Sequence, residues 1–233
     1  YQIPVFLVAD LSLAVTEQTY PPDAFDMDAV EIDRGKLVDD DEIDPWADEQ
    51  ERFQPHFPTA DGISPRTLPG TDGGAHMTTG LEHDSLGRRT EDTEVRVEQV
   101  DKRQRKVETA KTEEDWSSRE FGDPDADTLV VSWGSNEGPI REAMERLAQN
   151  GIDIRFLSVP YLFPRPELSD AVEAAETTVV VECNARGQFA NLLEQDVFER
   201  VERINKYNGV RFKADELVAD ITDLVRPQEV TTQ

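Results

Sequence analysis

The stretch TLVVSWGSNEGPIREAMERLAQNGIDIRFLSV, residues 128–159, decides the fold of the carboxyl-terminal half of the chain. It begins and ends with short apolar runs, 128–133 and 154–159, which are typical of strands buried in a parallel sheet. Between them, residues 139–149 have the spacing of an amphipathic helix, and Gly151 is placed to end it. The pattern predicts a strand, a helix and a second strand parallel to the first.

The same alternation continues along the rest of the chain. A third strand is expected at residues 178–183, and amphipathic patterns predict helices over 166–176, 188–201 and 214–225. Strands that alternate with helices of about ten residues favour right-handed crossovers and a parallel sheet. We therefore expect a three-layer α/β domain over residues 128–233.

Residues 1–115 are predicted to form a separate part, joined to this domain by a polar linker over 116–127. The apolar run 3–9 predicts a strand buried on both faces of a parallel sheet. Residues 17–52 contain fourteen Asp or Glu, so a solvated acidic insertion is expected over about 17–60. The chain opens without Met on a sequence typical of the middle of a domain, which favours a fragment.

Two further segments complete the amino-terminal part. Residues 55–87 are rich in Gly and Pro and contain all three histidines, which predicts a long shaped loop, with disorder as the alternative. Residues 91–114 have the pattern of a charged helix. Its apolar face is expected to hold Val97, Val100, Val107 and Ala110.

The charge of the chain is strongly acidic. It carries 50 Asp or Glu against 24 Lys or Arg, a net charge of −26, and the bases are 18 Arg to only 6 Lys. Such an excess repels itself at low ionic strength, which favours a salt-rich cytoplasm over a cationic partner. It also argues against nucleic acid, whose phosphates require clustered Lys and Arg.

Cys183 is the only cysteine, so this chain alone forms no intrachain disulfide and no four-cysteine iron-sulfur site. That count favours a reducing cytoplasm. The longest apolar run, residues 5–9, is far shorter than the roughly 20 residues that span a bilayer. No secretory signal pattern opens the sequence, and we expect no membrane partner.

Arg66, in the segment Ser64-Pro65-Arg66, is the strongest candidate for anion binding. A guanidinium next to a rigid proline can grip a carboxylate through two hydrogen bonds. The alternative is an arginine that braces the carbonyl groups of its own loop. Ser64 is a second candidate in the same segment.

His83 lies between Glu82 and Asp84, and two roles are open to it. Carboxylates on both sides would stabilise its protonated form, so it could donate a proton; a surface histidine with acidic neighbours is the alternative. Its spacing from His76 does not match a HExxH motif and a third ligand is missing, so we expect no metal site.

Two turns follow predicted strands in the carboxyl-terminal half. The turn over residues 134–138, Gly-Ser-Asn-Glu-Gly, offers backbone N–H groups to an anion, but Glu137 would repel a phosphate, and a plain tight turn is the alternative. After the third strand, Arg186 or Gln188 could face a neighbouring domain, because ligands and partners gather at the carboxyl ends of parallel strands. Helix capping by Asn184 is the alternative.

Several of these segments together resemble one family. ISPRTLPG, TGLEHDSLGR and KRQRK, starting at residues 63, 79 and 102, resemble the alpha subunit of 2-oxoglutarate-type ferredoxin oxidoreductases from haloarchaea. VSWGS, FPRP and VECN, starting at residues 131, 163 and 181, resemble that subunit's second domain. The resemblance implies that residues 1–115 end a thiamine-diphosphate pyrimidine-binding domain and that 128–233 form a transketolase C-terminal-like domain.

The resemblance also implies an activity and its cofactors. Such enzymes oxidatively decarboxylate a 2-oxoacid, 2-oxoglutarate or pyruvate, to an acyl-CoA and reduce ferredoxin. Thiamine diphosphate, Mg²⁺ and an iron-sulfur cluster are held mostly by the beta subunit, and this chain is expected to bind none of them alone. The family's Tyr-Pro-Ile-Thr-Pro motif is absent here, so its catalytic residues are expected upstream.

The resemblance leaves binding roles for particular residues. Arg66 and Ser64 are candidates for substrate binding, and Glu82, His83, Asp84, Arg186 and Gln188 for contact with a partner subunit or domain. The opposite hypothesis is a non-catalytic acidic α/β module that only binds or scaffolds other proteins. A neighbouring beta subunit with cysteines and a thiamine-diphosphate motif would distinguish the two.

Overall fold

A computed structural model describes residues 1–226, apart from the side chain of Ser12. They form two compact units. The amino-terminal unit comprises residues 1–6 and 19–115, and the carboxyl-terminal unit comprises residues 7–18 and those from Trp116 onward. The last part of the domain predicted over 128–233, residues 227–233, lies outside the described residues.

Two helices precede the sheet in the chain. Helix α1, Leu11–Ala14, is a single turn capped by Asp10, whose side chain accepts from the Leu13 N–H. Helix α2, Thr93–Glu113, is the long helix of the amino-terminal unit. The carboxylate of Asp92 begins it by accepting from the N–H groups of Glu94 and Val95, 2.9 and 3.1 Å away.

The carboxyl-terminal unit is built on a five-stranded sheet in the order β1-β3-β2-β4-β5. The strands β2 to β5 are mutually parallel, and β1 pairs antiparallel with β3 at one edge. Their ranges are β1 Arg119–Gly122, β2 Thr128–Trp133, β3 Arg155–Val159, β4 Thr177–Glu182 and β5 Glu202–Asn205. The predicted α/β class with a mostly parallel sheet is confirmed.

Helices cover both faces of this sheet. They are α3 Glu137–Gln149, α4 Ser169–Ala174, α5 Gln188–Val197 and α6 Ala214–Val225. Leu147 of α3 and Ile221 of α6 belong to the core on one face, whereas Val172 of α4 and Phe189 of α5 belong to the core on the other. Val130 in the central strand β2 is completely buried, which explains its continuous apolar sequence.

Residues 116–127 are not only a linker, because they contain β1. That strand pairs with β3 through Arg119–Ser158 and Gly122–Arg155. Its sequence is short, polar and mostly exposed, so it lacks the apolar run by which an interior strand is recognised. Strand β5 is missed by the sequence pattern for the same reason, since two of its four residues are exposed.

The prediction of a strand over residues 3–9 is wrong. Residues 3–9 have no strand assignment and are exposed, with Leu7 at 96% exposure. An apolar run becomes a strand only where another strand offers it backbone partners, and the described residues outside the carboxyl-terminal sheet form only isolated bridges.

The predicted acidic insertion divides into two stretches. Residues 19–35 are exposed and contain one short 3₁₀ turn, Met27–Ala29. From residue 36 onward the chain packs into the amino-terminal unit, where Val38, Ile43 and Phe53 form a small buried cluster beside Trp46. The prediction of a solvated insertion is therefore wrong for this second stretch. Acidic residues separate the apolar ones in the sequence, so no apolar pattern indicated the buried cluster.

Helix α2 occupies the predicted position, but its buried face differs from the expected one. Ala110 is buried as expected, whereas Val97 is 60% exposed. The other buried residues are polar: Gln99, Lys102 and Lys106. Among the described helices, none has the length and apolarity required to cross a bilayer.

Candidate functional site

The loop over residues 57–66 is fixed tightly against helix α2. Gly62 adopts a φ of +79°, and a Cβ at this position would lie 2.4 Å from the carbonyl oxygen of Lys102. Only glycine allows both this backbone conformation and this approach. Thr109 on the helix donates to the carbonyl of Asp61 at 2.8 Å, which joins loop and helix a second time.

Ser64 is 2% exposed, and its hydroxyl is engaged within the loop. It donates to the carbonyl oxygen of Phe57 at 2.9 Å. Its own carbonyl accepts from the side-chain amide of Gln2 at 2.6 Å. These bonds give Ser64 a part in shaping the loop, while the oxygen lone pairs of its hydroxyl can still accept a hydrogen bond.

Arg66 follows directly and is held by its backbone. Its N–H donates to the carbonyl of Lys36 at 2.9 Å, and its carbonyl accepts from Val38 at 3.0 Å. The side chain is half-buried. Within the part of the chain that the structure describes, its guanidinium bonds to none of its own loop carbonyls and to no carboxylate, which leaves its donors for an anion.

Glu82 acts as a clamp between the second loop and helix α2. Its carboxylate accepts three hydrogen bonds from the guanidinium of Arg103, two at Oε1 with lengths of 3.2 and 3.1 Å and one at Oε2 with a length of 3.0 Å. It also lies 3.5 Å from Arg96. The hydrogen bond from Arg103 lowers the pKa of Glu82 below its ordinary value. The predicted interface residue is therefore already paired inside its own unit.

His83 and Asp84 also make internal contacts. The ring of His83 packs against that of His56, with 3.8 Å between centroids and 31° between the ring planes. Its Nδ1 lies 3.1 Å from the carbonyl oxygen of Asp84. The Asp84 carboxylate accepts from the N–H groups of Leu86 and Arg88 at 3.0 and 2.9 Å. Asp84 thus stabilises a turn, and His83 packs against His56.

His56 is a residue that the sequence pattern did not single out. Its Nε2 is buried and has no hydrogen-bond partner in the described structure. Burial, and then the nearby charges of His83 and Lys102, lower the pKa of His56 to about 4. The buried side chain of Gln99 donates to its carbonyl at 3.2 Å. His56 is consequently neutral at physiological pH.

Two lysines on α2, the ends of the KRQRK segment, are buried, which the sequence analysis did not predict. Lys102 is 4% exposed and Lys106 is 9% exposed. Burial, followed by repulsion from Lys106, lowers the pKa of Lys102 to about 8. Burial also lowers the pKa of Lys106. Their spacing of four residues places them on one helical face, but the KRQRK motif gives no indication that this face is buried.

In the carboxyl-terminal unit, polar side chains meet at the carboxyl ends of β2 and β4. Asn136 is buried, donates to the Ser132 hydroxyl at 3.2 Å and accepts from the thiol of Cys183 at 3.3 Å. Burial raises the pKa of that thiol above its ordinary value. Glu137 of the glycine turn accepts from Ser158 at 2.7 Å and pairs with Arg119, so this turn braces the sheet.

Glu182 at the end of β4 is completely buried. Its carboxylate accepts from the N–H groups of Phe189 and Ala190 in the first turn of α5, at 3.0 and 3.1 Å. A negative charge at a helix N-terminus is stabilised by the helix dipole. Glu182 therefore joins the central sheet to α5.

Arg186 and Gln188, the candidate interface residues of this unit, are exposed. Their N–H groups donate to the side-chain oxygen of Asn184 at 3.1 and 3.2 Å. Asn184 thus makes the helix-start contacts that were the alternative explanation for this motif. The side chains of Arg186 and Gln188 make no hydrogen bond with any described residue, and contact with another subunit or domain stays a prediction.

No protein-family model matches this chain. Comparison with individual proteins gives a consistent result. The chain is 35% identical over 197 residues to 2-oxoacid:ferredoxin oxidoreductase 2, subunit alpha, of Aeropyrum pernix, a match that covers 83% of this chain and 29% of the relative. It is 32% identical over 234 residues to the alpha subunit from Saccharolobus solfataricus, covering 98% of this chain and 36% of the relative.

A relative from Mycobacterium tuberculosis gives a similar match. The 2-oxoglutarate oxidoreductase subunit KorA of Mycobacterium tuberculosis is 31% identical over 177 residues, covering 72% of this chain and 26% of the relative. The homologues of this chain are thus alpha subunits of 2-oxoacid:ferredoxin oxidoreductases. The chain spans about a third of the length of these relatives.

A solved structure agrees with these sequences. The 2-oxoglutarate:ferredoxin oxidoreductase from Magnetococcus marinus, solved with 2-oxoglutarate, coenzyme A and succinyl-CoA bound, is 25% identical with a TM-score of 0.70. The match covers 77% of this chain and 32% of that chain. The resemblance to alpha subunits that the motifs indicate is therefore confirmed.

The donor set of this chain does not fit an iron-sulfur cluster, because it offers one cysteine where such a centre takes four. Among the described residues, no three His, Cys, Asp or Glu side chains are grouped so that they could hold a metal ion.

Proposed function

We propose that this chain is part of the alpha subunit of an enzyme that oxidatively decarboxylates a 2-oxoacid to an acyl-CoA and reduces ferredoxin. The observation that carries the proposal is identity of 30–35% to such subunits over most of the chain. Its required partner is a beta subunit, which would supply most ligands for thiamine diphosphate and Mg²⁺ and hold the iron-sulfur cluster. The single cysteine supports a cytoplasmic location.

We favour 2-oxoglutarate over pyruvate as the substrate. Two relatives carry 2-oxoglutarate in their names, and one of them was solved with this substrate bound. Arg66 is the side chain that we assign to the 2-oxoacid, because its guanidinium is unpaired in the described residues and its backbone is fixed on both sides. A dicarboxylic substrate offers such a group a second anion to bind.

The activity assay uses the native complex that contains this chain, purified in molar KCl. We expect reduction of viologen that depends on both a 2-oxoacid and coenzyme A, with a higher kcat/KM for 2-oxoglutarate than for pyruvate. Each preparation is tested for a co-purifying subunit that contains iron. A complex that lacks iron and does not turn over any 2-oxoacid would overturn the proposal in favour of a non-catalytic scaffold module.

Arg66→Lys in the same complex tests the substrate role. It keeps the charge but removes the bidentate geometry, and we expect KM for 2-oxoglutarate to rise about tenfold, the effect of losing one charged hydrogen bond. KM for pyruvate should change less. Arg89→Lys is the matched control, since Arg89 is 63% exposed and pairs with Glu91. Equal changes for both substrates would show that Arg66 has only a structural role.

A further inference from the structure

The buried lysines of helix α2 lie one helical turn apart and lack an anionic partner. Lys106 donates to the backbone carbonyl of Gln2 at 3.4 Å. For Lys102, the described residues provide neither a hydrogen bond nor an ion pair. Glu98 attracts Lys102 only from a distance, and it is itself exposed.

This arrangement contrasts with the other lysines of the chain. Three of them form ion pairs: Lys36 with Asp61, Lys111 with Glu108 and Lys206 with Glu216. The sequence contains 50 acidic residues to 24 basic ones, so carboxylates are abundant. Two buried lysines without one are therefore an exception that requires a physical explanation, since unpaired buried charges destabilise a fold.

Apart from Glu98, the charged side chains that act on the two lysines are cations, Arg103 and Arg105 among them. Arg105 has a buried Nε–H without a partner in the described structure, and its charge acts on Lys102. The charges of both lysines also lower the pKa of the half-buried His56. Gly62 brings the neighbouring loop within contact of the helix backbone at Lys102 and Lys106, which fixes the surroundings of the pair.

We propose that Lys102 and Lys106 form a binding site for a small dianionic oxyanion of the phosphate class, to which Arg105 contributes a third donor. A dianion would neutralise both ammonium groups, whereas a single carboxylate would leave one of them uncompensated. Their low exposure admits a small group more readily than a protein segment. Phosphate also accepts several charged hydrogen bonds at once. This site is separate from the 2-oxoacid role assigned to Arg66 and does not depend on it.

Calorimetric titration of the full chain with inorganic phosphate tests the site. The titration is done at pH 8, where phosphate is mainly dianionic, and at constant KCl concentration. We expect saturable binding of one phosphate per chain and a rise in Tm that follows the occupancy. Lys102→Met and Lys106→Met should each weaken binding by about tenfold or more, the usual effect of losing a charged hydrogen bond.

The matched control is Lys111→Met, which removes an exposed lysine from the same helix and should bind phosphate like the original chain. Lys102→Met should fold, because it removes an unpaired buried charge while keeping an apolar stem. Titration with methyl phosphate identifies the source of the anion. If methyl phosphate binds as tightly as inorganic phosphate, the ligand is the terminal phosphate of a larger molecule; if it binds more weakly, the ligand is free phosphate.

Two results would overturn the proposal. One is a Tm response to phosphate that is the same in Lys102→Met as in the original chain, which would indicate a general salt effect. The other is the absence of saturable binding to a folded chain, which would mean that a protein carboxylate from a partner, rather than a small anion, satisfies the lysines. Neither result depends on enzyme turnover, so failure here is distinct from failure of the proposed function.

Discussion

The two units of the chain have interiors of different composition. In the carboxyl-terminal unit, the central strands β2 and β4 are completely buried through Leu129–Val131 and Val179–Val181, and helices cover them on both sides. In the amino-terminal unit, helix α2 buries Gln99, Lys102 and Lys106 instead. Its loops are fixed by ion pairs and by side-chain contacts to backbone groups.

This difference determines what each unit responds to. Burial of apolar area is insensitive to pH and depends only weakly on moderate salt. Ion pairs, buried lysines and the half-buried neutral His56 respond to both pH and salt, because their energies depend on charge and screening. We therefore expect salt and pH to act on the amino-terminal unit first.

Salt should have the largest effect. Acidic residues outnumber basic ones by 28 to 12 in residues 1–115 and by 22 to 12 in residues 116–233, so both units repel themselves at low ionic strength and the first does so more. Raising KCl from 50 mM to 2 M should stabilise the chain by several kcal/mol, which corresponds to roughly 10 °C or more in Tm.

Hydrogen exchange measured by mass spectrometry can separate the two units in this experiment. In 50 mM KCl, amides of α2 should exchange much faster than those of β4, and the difference should shrink in 2 M KCl. Full stability of both units at 50 mM, with no gain at higher salt, would contradict the inference of a salt-adapted chain.

We expect the next largest effect at Glu182, which is the buried charged side chain among the described residues of the carboxyl-terminal unit. Glu182→Ala leaves the N–H groups of Phe189 and Ala190 without their acceptor and should cost about 3 kcal/mol. Glu202→Ala, on the exposed part of β5, is the control and should change stability by less than about 0.5 kcal/mol. Chemical denaturation measures both. Equal losses would show that the Glu182 contacts contribute little.

The sequence predicts the carboxyl-terminal unit well because its strands are apolar on both faces. The runs at β2, β3 and β4 identify those strands, and their helices follow from periodicity. The edge strand β1 escapes the pattern because only Phe121 among its four residues is partly buried. Recognition of β1 would require knowledge of its antiparallel partner, which lies more than 30 residues away along the chain.

The amino-terminal unit is harder to predict, because its buried groups are polar. The helical spacing of the valines predicted a buried face that is right at Ala110 but wrong at Val97. Burial of Lys102 depends on a loop that approaches it through Gly62 from 40 residues away. Arg66 could be selected from the adjacent proline alone. The internal pairing of Glu82 with Arg103 could not be foreseen, since it requires the tertiary arrangement of loop and helix.

His56 gives the smallest of the expected effects, and it tests the acid sensitivity of the amino-terminal unit. Its folded pKa of about 4 lies below the ordinary value of 6.5. Above pH 6.5 both states are neutral and the group has no effect. As the pH falls from 6.5 toward 4, the unfolded chain takes up a proton that the folded chain excludes, so stability is lost; below about pH 4 the loss is complete.

At pH 5 this loss should amount to about 2 kcal/mol relative to pH 7.5. His56→Phe keeps an aromatic ring against His83 and removes the titrating group. Between pH 7.5 and pH 5, the variant should therefore lose about 2 kcal/mol less stability than the original chain. His76→Phe is the control: it leaves His56 in place and should retain the acid loss of the original chain. Denaturant unfolding at the two pH values, in constant molar KCl, measures the difference. If the original chain and His56→Phe lose stability in parallel, acid sensitivity arises from the carboxylates, and the buried histidine does not distinguish the two units.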